Sequence, residues 1–277
     1  MVPGYESFII VFLKTSRSLQ CGKNNTSLPP LIMPTSRFFK IIDQVDSTNN
    51  YAMGQVHAGT AAHGMAWFAK NQTAGKGQRG KRWSMEPGKN IAMSLVLEPR
   101  SPNTFRQFYL AASIALACRE FFFSYAGEET TIKWPNDLYW RDRKAGGILI
   151  ETVYRGTLLK YAIVGIGINI NQTGFHRDLK NPVSLKQITG KEVDPILLAK
   201  ELYALVMKRA EGLNEAALKK IMKEYNRYLY GLNKKIKLKK DNAVFETLIK
   251  EVNGNGQLVT CDAIERIFDF GEVEWVL

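Results

Sequence analysis

The residues with the most chemical content lie between 71 and 90, NQTAGKGQRGKRWSMEPGKN. Gly75, Gly77 and Gly80 are spaced G-x-G-x-x-G, with Lys76, Arg79, Lys81 and Arg82 among them. Glycine frees the backbone, and the clustered cations repel one another when nothing anionic lies between them. Such a segment suits closure over a polyanion, mobile when empty and ordered when filled; the bland alternative is a solvated basic turn. Three phosphate-binding schemes use similar glycines, and the context excludes each. A dinucleotide-binding turn needs a helix directly after the third glycine, but KRWSMEPGKN follows Gly80, and Pro87 and Gly88 break any helix there. His176-Arg177-Asp178-Leu179 and Asp269-Phe270-Gly271 imitate kinase elements. Val183 nevertheless stands where a catalytic-loop asparagine is needed, and only six residues follow Gly271. A P-loop must close on Gly-Lys-Ser/Thr, which is absent.

Three further segments carry polar groups at fixed places. Residues 133–137 read Lys-Trp-Pro-Asn-Asp. Residues 142–151 read DRKAGGILIE, with Lys144 ahead of Gly146-Gly147. Residues 164–171 read VGIGININ, with Asn169 near the end. Each alone is weak: paired glycines in a strand signal close backbone packing, and Lys144 could be a solvated turn residue. Taken in order with Ser47-Thr48-Asn49 and Q-T-A-G-K-G-Q-R-G-K-R-W, they closely resemble the biotin protein ligases, also called biotin–[acetyl-CoA-carboxylase] ligases. The resemblance spans about residues 36–277.

The resemblance implies a two-step reaction. Biotin's carboxylate attacks the α-phosphate of ATP, giving biotinyl-5′-AMP and pyrophosphate. A lysine of a biotin carboxyl carrier domain then takes the biotinyl group and releases AMP. By the same resemblance Ser47, Thr48, Asn49 and Gln72 meet the ureido head of biotin, a neutral group that donates and accepts hydrogen bonds. Lys76, Gly77 and Gln78 cover biotin and the adenylate, and Lys144 holds the carboxylate against the α-phosphate. Lys144, Arg79 and Lys81 are the implied catalytic cations. Gly75, Gly80, Trp83, Asn136 and Asn169 border the nucleotide, with Trp83 flanking the adenine. Mg2+ is expected with ATP, and Asp137 is the candidate ligand. Many relatives carry a basic residue where this chain has Gln78, so the adenylate is expected to be held less firmly here, with Arg79 and Lys81 compensating. Some relatives carry an N-terminal DNA-binding helix-turn-helix. No two-helix pattern precedes Ser47 and Pro29-Pro30 interrupts that stretch, so a ligase without specific DNA binding is expected. Relatives are monomers or homodimers. The alternatives are a lipoate–protein ligase with the same adenylate chemistry, or a basic nucleic-acid-binding module.

These residues need elements to hold them. Residues 38–45, 64–70, 90–98, 130–134, 146–154 and 159–170 read as strands. A short helix runs from Asp46-Ser47-Thr48 towards Gly59, and a long one over about 104–125 has one apolar stripe at Phe105, Phe108, Tyr109, Ala112 and Leu116. Residues 194–230 read as two helices parted near Gly212. After about 233 short strands follow, with a turn at Asn253-Gly254-Asn255-Gly256, and the alternating lysines of 234–240 read as an exposed strand face. The expected class is α+β: a mixed β-sheet flanked by helices, as in class II synthetases and lipoate ligases, with a small C-terminal SH3-like β-barrel. The expected division is a tail over 1–36, in which Met33 could be the true start, a catalytic domain over 37–231, and the barrel over 232–277.

Composition sets the outer limits. The formal net charge is +12, which suits an anionic partner (nucleotide, nucleic acid or an acidic protein) as well as plain solubility. Cys21, Cys118 and Cys261 are far apart, and His57, His63 and His176 have no zinc-ligand spacing. No apolar run approaches the ~20 residues of a membrane span, and Phe8–Leu13 is short for a signal core. A cytoplasmic protein with reduced thiols is expected.

Overall fold

Seven strands make the main sheet: β1 (Phe39–Val45), β2 (Ala66–Gln72), β3 (Ile91–Leu97), β4 (Thr130–Lys133), β5 (Asp137–Trp140), β6 (Arg143–Arg155) and β7 (Leu158–Ile168). They pair in the order β1-β2-β3-β7-β6-β5-β4. Only β1 and β2 run parallel, so the sheet is mixed. The structure, a computed structural model, describes residues 38–98, 107–156 and 158–276. The tail expected over 1–36, with Cys21 and the stretch read as lacking a helix-turn-helix, lies outside the described residues, as does Phe105.

Alternation along the strands assigns the two faces of the sheet. Ile91, Met93, Leu95 and Leu97 of β3 and Ala162, Val164, Ile166 and Ile168 of β7 enter the large core. That face is covered by α2 (Gln107–Ala126) and by α4 (Pro195–Glu211), which follows the one-turn α3 (Leu185–Thr189). The opposite face carries Trp67, Val96 and Ile163, packed against Ala52 of α1 (Thr48–His57). The stripe expected on α2 is too narrow. Leu110, Ile114, Ala117, Cys118, Phe121 and Phe122 are buried as well, because α4 and α5 (Leu218–Arg227) enclose the helix on the sides the sheet leaves open.

Where a small SH3-like barrel is expected, the chain forms a five-stranded antiparallel sheet: β8 (Lys235–Lys240), β9 (Ala243–Val252), β10 (Leu258–Cys261), β11 (Glu265–Phe268) and β12 (Glu274–Val276), in the order β11-β10-β9-β8-β12. Leu238 is buried between the exposed Lys237 and Lys239, so the lysines do line one strand face. The core is continuous across residue 231: Leu238, Ile249, Val252, Leu258 and Phe268 belong to the same cluster as α2 and the main sheet. Trp134 Nε1 donates to Gly256 O at 2.9 Å, and Asn226 exchanges two hydrogen bonds with the backbone of Val252. Among the described residues no helix is long and apolar enough to cross a membrane.

Candidate active site

On the α1 face of the sheet, neighbouring strands carry almost no side chains. Register places Ser94 beside Gly165, Ala92 beside Gly167, and Gly147 on the other side of Gly167. A Cβ on Gly165 would lie 2.2 Å from Asn49 Oδ1, and one on Gly167 2.5 Å from the Trp83 indole. The Gly-Ile-Gly sequence is therefore a floor on which a helix residue and a loop residue rest directly on backbone.

A chain of neutral polar groups crosses the α1 end of that floor. Ser47 precedes α1 in extended conformation, is 2% exposed, and its side chain makes no capping bond. Thr48 donates from its backbone N–H and its hydroxyl to Gln72 Oε1 at 2.7 and 3.1 Å. Ser94 Oγ lies within hydrogen-bond distance of both Thr48 Oγ1 and Asn49 Oδ1. Asn49 Nδ2 donates to Glu151 Oε2 at 2.8 Å, and Glu151 Oε1 meets Lys76 Nζ of the glycine loop at 3.3 Å. Sequence reading assigned no role to Ser94 or Glu151. Glu151 closes the DRKAGGILIE segment, and its alternation with Leu149 and Gly147 along β6 was the signal that could have found it.

The glycine loop is a tight hairpin. Trp83 N donates to Gly75 O at 2.9 Å, Gly77 N to Lys81 O at 2.7 Å, and Lys81 N to Gln78 O at 3.1 Å. Arg79 and Gly80 turn the chain with φ of 55° and 73°, and Gly75 is obligatory because a Cβ there would meet Trp83 O at 2.4 Å. An empty loop was expected to be pushed apart by its own cations. Instead three of them have partners: Lys76 on Glu151, Arg79 on Gly271 O at 3.0 Å, and Arg82 on Thr73 O at 3.3 Å. The Asp269-Phe270-Gly271 triplet is thus a loop anchor. Gln78 Oε1 and Trp83 Nε1 are buried without a hydrogen-bond partner, two unused polar atoms on the residues that cover the floor.

The edge formed by β4, β5 and β6 carries the charge. Lys144 Nζ contacts Asp137 Oδ1 at 2.6 Å. The Lys144 backbone is pinned on both sides: its N–H donates to Asn181 O, and its carbonyl accepts from Val183 N. Asn169 Nδ2 donates to Val183 O at 3.1 Å and reaches Lys144 O at 3.4 Å. Asn136 Nδ2 donates to Ile148 O at 2.8 Å. Asn169 thus braces the backbone of Lys144 and Val183, and Asn136 braces Ile148 of β6, the strand that carries Lys144. Burial pulls the Lys133 amine down to about 8; Lys144, Lys81 and Lys180 push it the same way and Asp137 opposes them. Among the described residues no group of three or more His, Cys, Asp or Glu side chains could hold a metal. Asp137 is a lone carboxylate, which suits an ion held mainly by substrate phosphates.

Residues 41–169, which contain the floor, the loop and the lysine edge, match the Biotin/lipoate A/B protein ligase family. Among curated members it is 33% identical over 161 residues to the biotin--[acetyl-CoA-carboxylase] ligase of Paracoccus denitrificans, covering 56% of this chain and 65% of that one. It is 29% identical over 232 residues to the bifunctional ligase/repressor BirA of Bacillus spizizenii, covering 82% of this chain and 70% of the relative. Among solved structures, the biotin protein ligase from Aquifex aeolicus in complex with biotin and ATP superposes with a TM-score of 0.72 at 23% identity, over 85% of this chain and 97% of that one. That last likeness is one of fold. Every family position singled out from sequence falls on the α1 face, in the loop above it, or on the lysine edge.

Proposed function

We propose that the chain is a biotin–protein ligase that activates biotin with ATP and passes it to a lysine of a biotin carboxyl carrier domain. The observation that carries this reading is one glycine floor with a neutral hydrogen-bonding chain at one end and a lysine edge at the other. The neutral chain, with Ser47, Thr48, Asn49 and Gln72, matches the ureido head. Biotin's fused rings and aliphatic tail would run from there along the same face of the sheet. The tail then directs the carboxylate towards Lys144.

In the first step a biotin carboxylate oxygen attacks the α-phosphorus. The bond from that phosphorus to the β-phosphate bridge oxygen breaks, and its electron pair leaves with pyrophosphate. Lys144 counters the repulsion between carboxylate and phosphate. Arg79 and Lys81 in the loop add positive charge over the developing adenylate, each preorganised donor being worth about 3–4 kcal/mol. Lys76, Gly77 and Gln78 close over the biotinyl group; Trp83 lies along the adenine, with Gly75, Gly80, Asn136 and Asn169 around it. Asp137 would hold a Mg2+ brought in with ATP, which would supply charge neutralisation at the phosphates. In the second step the carrier amine attacks the acyl carbon and AMP leaves. Such a reaction belongs in the cytoplasm, beside ATP and the carboxylase.

The test is pyrophosphate release from ATP on adding biotin, with lipoate as the control acid. Release with biotin alone is the expected result. Release with lipoate and none with biotin would move the chain to the other branch of its family, and release with neither would end the ligase reading.

A further inference from the structure

Alternation along β6 puts Ile148 in the core and Ile150 against it, with Gly147, Leu149 and Glu151 on the α1 face. Continued backwards without a break, it would put Ala145 on the α1 face and Lys144 on the core face. The strand departs from this at Ala145. Leu138 of β5 pairs with Gly146 and the next residue, Tyr139, pairs with Lys144, so Ala145 has no partner on β5. Ala145 is buried in the core. A Cβ on Gly146 would point there too, 3.1 Å from Cγ1 of the core residue Ile168. Two successive residues thus face the core. This is a β-bulge, and it turns Lys144 out onto the α1 face. A Cβ on Gly147 would lie 3.6 Å from Lys144 Nζ and 3.5 Å from Asp137 Oδ1.

A bulge disrupts its ladder locally, and here a segment from outside the ladder supports it. Residues 181–183 run beside Lys144 in a parallel bridge centred on Pro182. Lys144 N donates to Asn181 O, and Val183 N donates to Lys144 O, both at 2.9 Å. Asn169 N donates to the bulged Ala145 O at 2.8 Å. Asn181 takes a φ of 49°, a left-handed conformation that asparagine tolerates and a β-branched residue does not. Its amide donates to Asp142 O and to Asp142 Oδ2, each at 3.1 Å, tying it to the turn that enters β6. Arg143 Nη2 donates to Pro182 O.

We infer that Asn181 is a positioning residue for adenylate formation: its left-handed backbone supports the bulge that aims Lys144 at the reacting carboxylate and α-phosphate. The inference rests on the ligase reading for what Lys144 does, and on the bulge for how Lys144 is held. A lysine stem is flexible, so the direction of its Cα–Cβ bond decides which face of the sheet the ammonium can serve. Asn181 touches no substrate; it acts through Lys144.

The test is single-turnover adenylate formation by the full chain at saturating ATP and biotin. Asn181→Val disfavours a positive φ and is expected to slow adenylate formation by about 10- to 100-fold, with biotin affinity by calorimetry unchanged. Asn181→Gly takes the same backbone without strain and is expected to restore most of the rate. In a Lys144→Ala background the valine substitution is expected to slow the residual reaction no further, because both changes act through one group. A valine variant as fast as the parent, a glycine variant as slow as the valine one, or an equal loss in the Lys144→Ala background overturns the inference. Should the valine variant fail to fold, amide hydrogen exchange of the unaltered protein decides. The Lys144 N–H is expected to be protected like the interior amides of β6; exchange at the rate of an exposed loop overturns the inference. A parent that forms no adenylate with biotin ends the ligase reading alone. The Lys144 amide, protected in the parent and faster in Asn181→Val, then still reads the support that Asn181 gives.

Discussion

At the α1 end of the floor, Thr48, Gln72, Ser94, Asn49 and Glu151 pass hydrogen bonds from one to the next, and the only charge, on Glu151, is answered by Lys76. At the other end the carboxylate of Asp137 is held by Lys144, and Lys133 faces the Tyr139 and Trp275 rings. The first region is complete as it stands, and the second is deficient in negative charge. On the proposed ligase reading, the first would select a neutral ring system by shape and donor–acceptor pattern, and the second would use electrostatics, worth most where charge develops, at the reacting centre.

The largest effect that would break the complete end is steric. Gly165→Ala puts a methyl 2.2 Å from Asn49 Oδ1, forcing the amide off both Ser94 and Glu151. Biotin binding is expected to weaken by about 2–4 kcal/mol, read by calorimetry, with AMP binding unchanged. Unaltered biotin affinity would show that the polar chain is not the head-group site.

The deficient end makes a prediction about stability. Burial lowers the Lys133 amine to about 8 from 10.5. Below pH 8 the amine is protonated both folded and unfolded, and the folded state bears the whole burial cost. Between the two values the unfolded chain binds the extra proton, so stability rises with pH; above 10.5 the cost is gone. Lys133→Met should therefore stabilise the ligand-free protein at pH 7, by up to about 3 kcal/mol, and this advantage should shrink as pH rises from 8 to 10.5. Denaturant unfolding at several pH values measures it. A Met variant that is less stable at pH 7 would mean that the rings already satisfy the cation.

The smallest effect sharpens the comparison at the loop between the two ends. Gln78 Oε1 is buried and unpartnered, and a neutral amide holds an anion less tightly than a guanidinium does. Gln78→Arg should slow release of the adenylate several-fold, about 1 kcal/mol, in a trapping assay. Equal off-rates would remove position 78 from the retention argument.

Much of this was legible before any coordinates. Strands β1, β2, β3, β6 and β7 announce themselves as apolar runs, and the two glycines of Gly165-Ile166-Gly167 signal a close approach. What approaches them was not legible, because Asn49 and Trp83 arrive from distant segments. Strand β5 was missed: it is four residues long and follows Pro135-Asn136, where a turn was the natural reading. Helix α3 was missed as well, although the Ser184–Gln187 capping box marks its start. Lys133 was quoted as a motif residue without a role, since its isolation depends on the register that gives Asp137 to Lys144 and on Trp275 reaching over from β12.

The most direct test of the division of labour is single-turnover adenylate formation by Lys144→Ala, with biotin affinity measured on the same protein. Adenylate formation is expected to fall by about 10²- to 10³-fold while biotin still binds at the intact neutral end. An unchanged rate of adenylate formation would contradict the account.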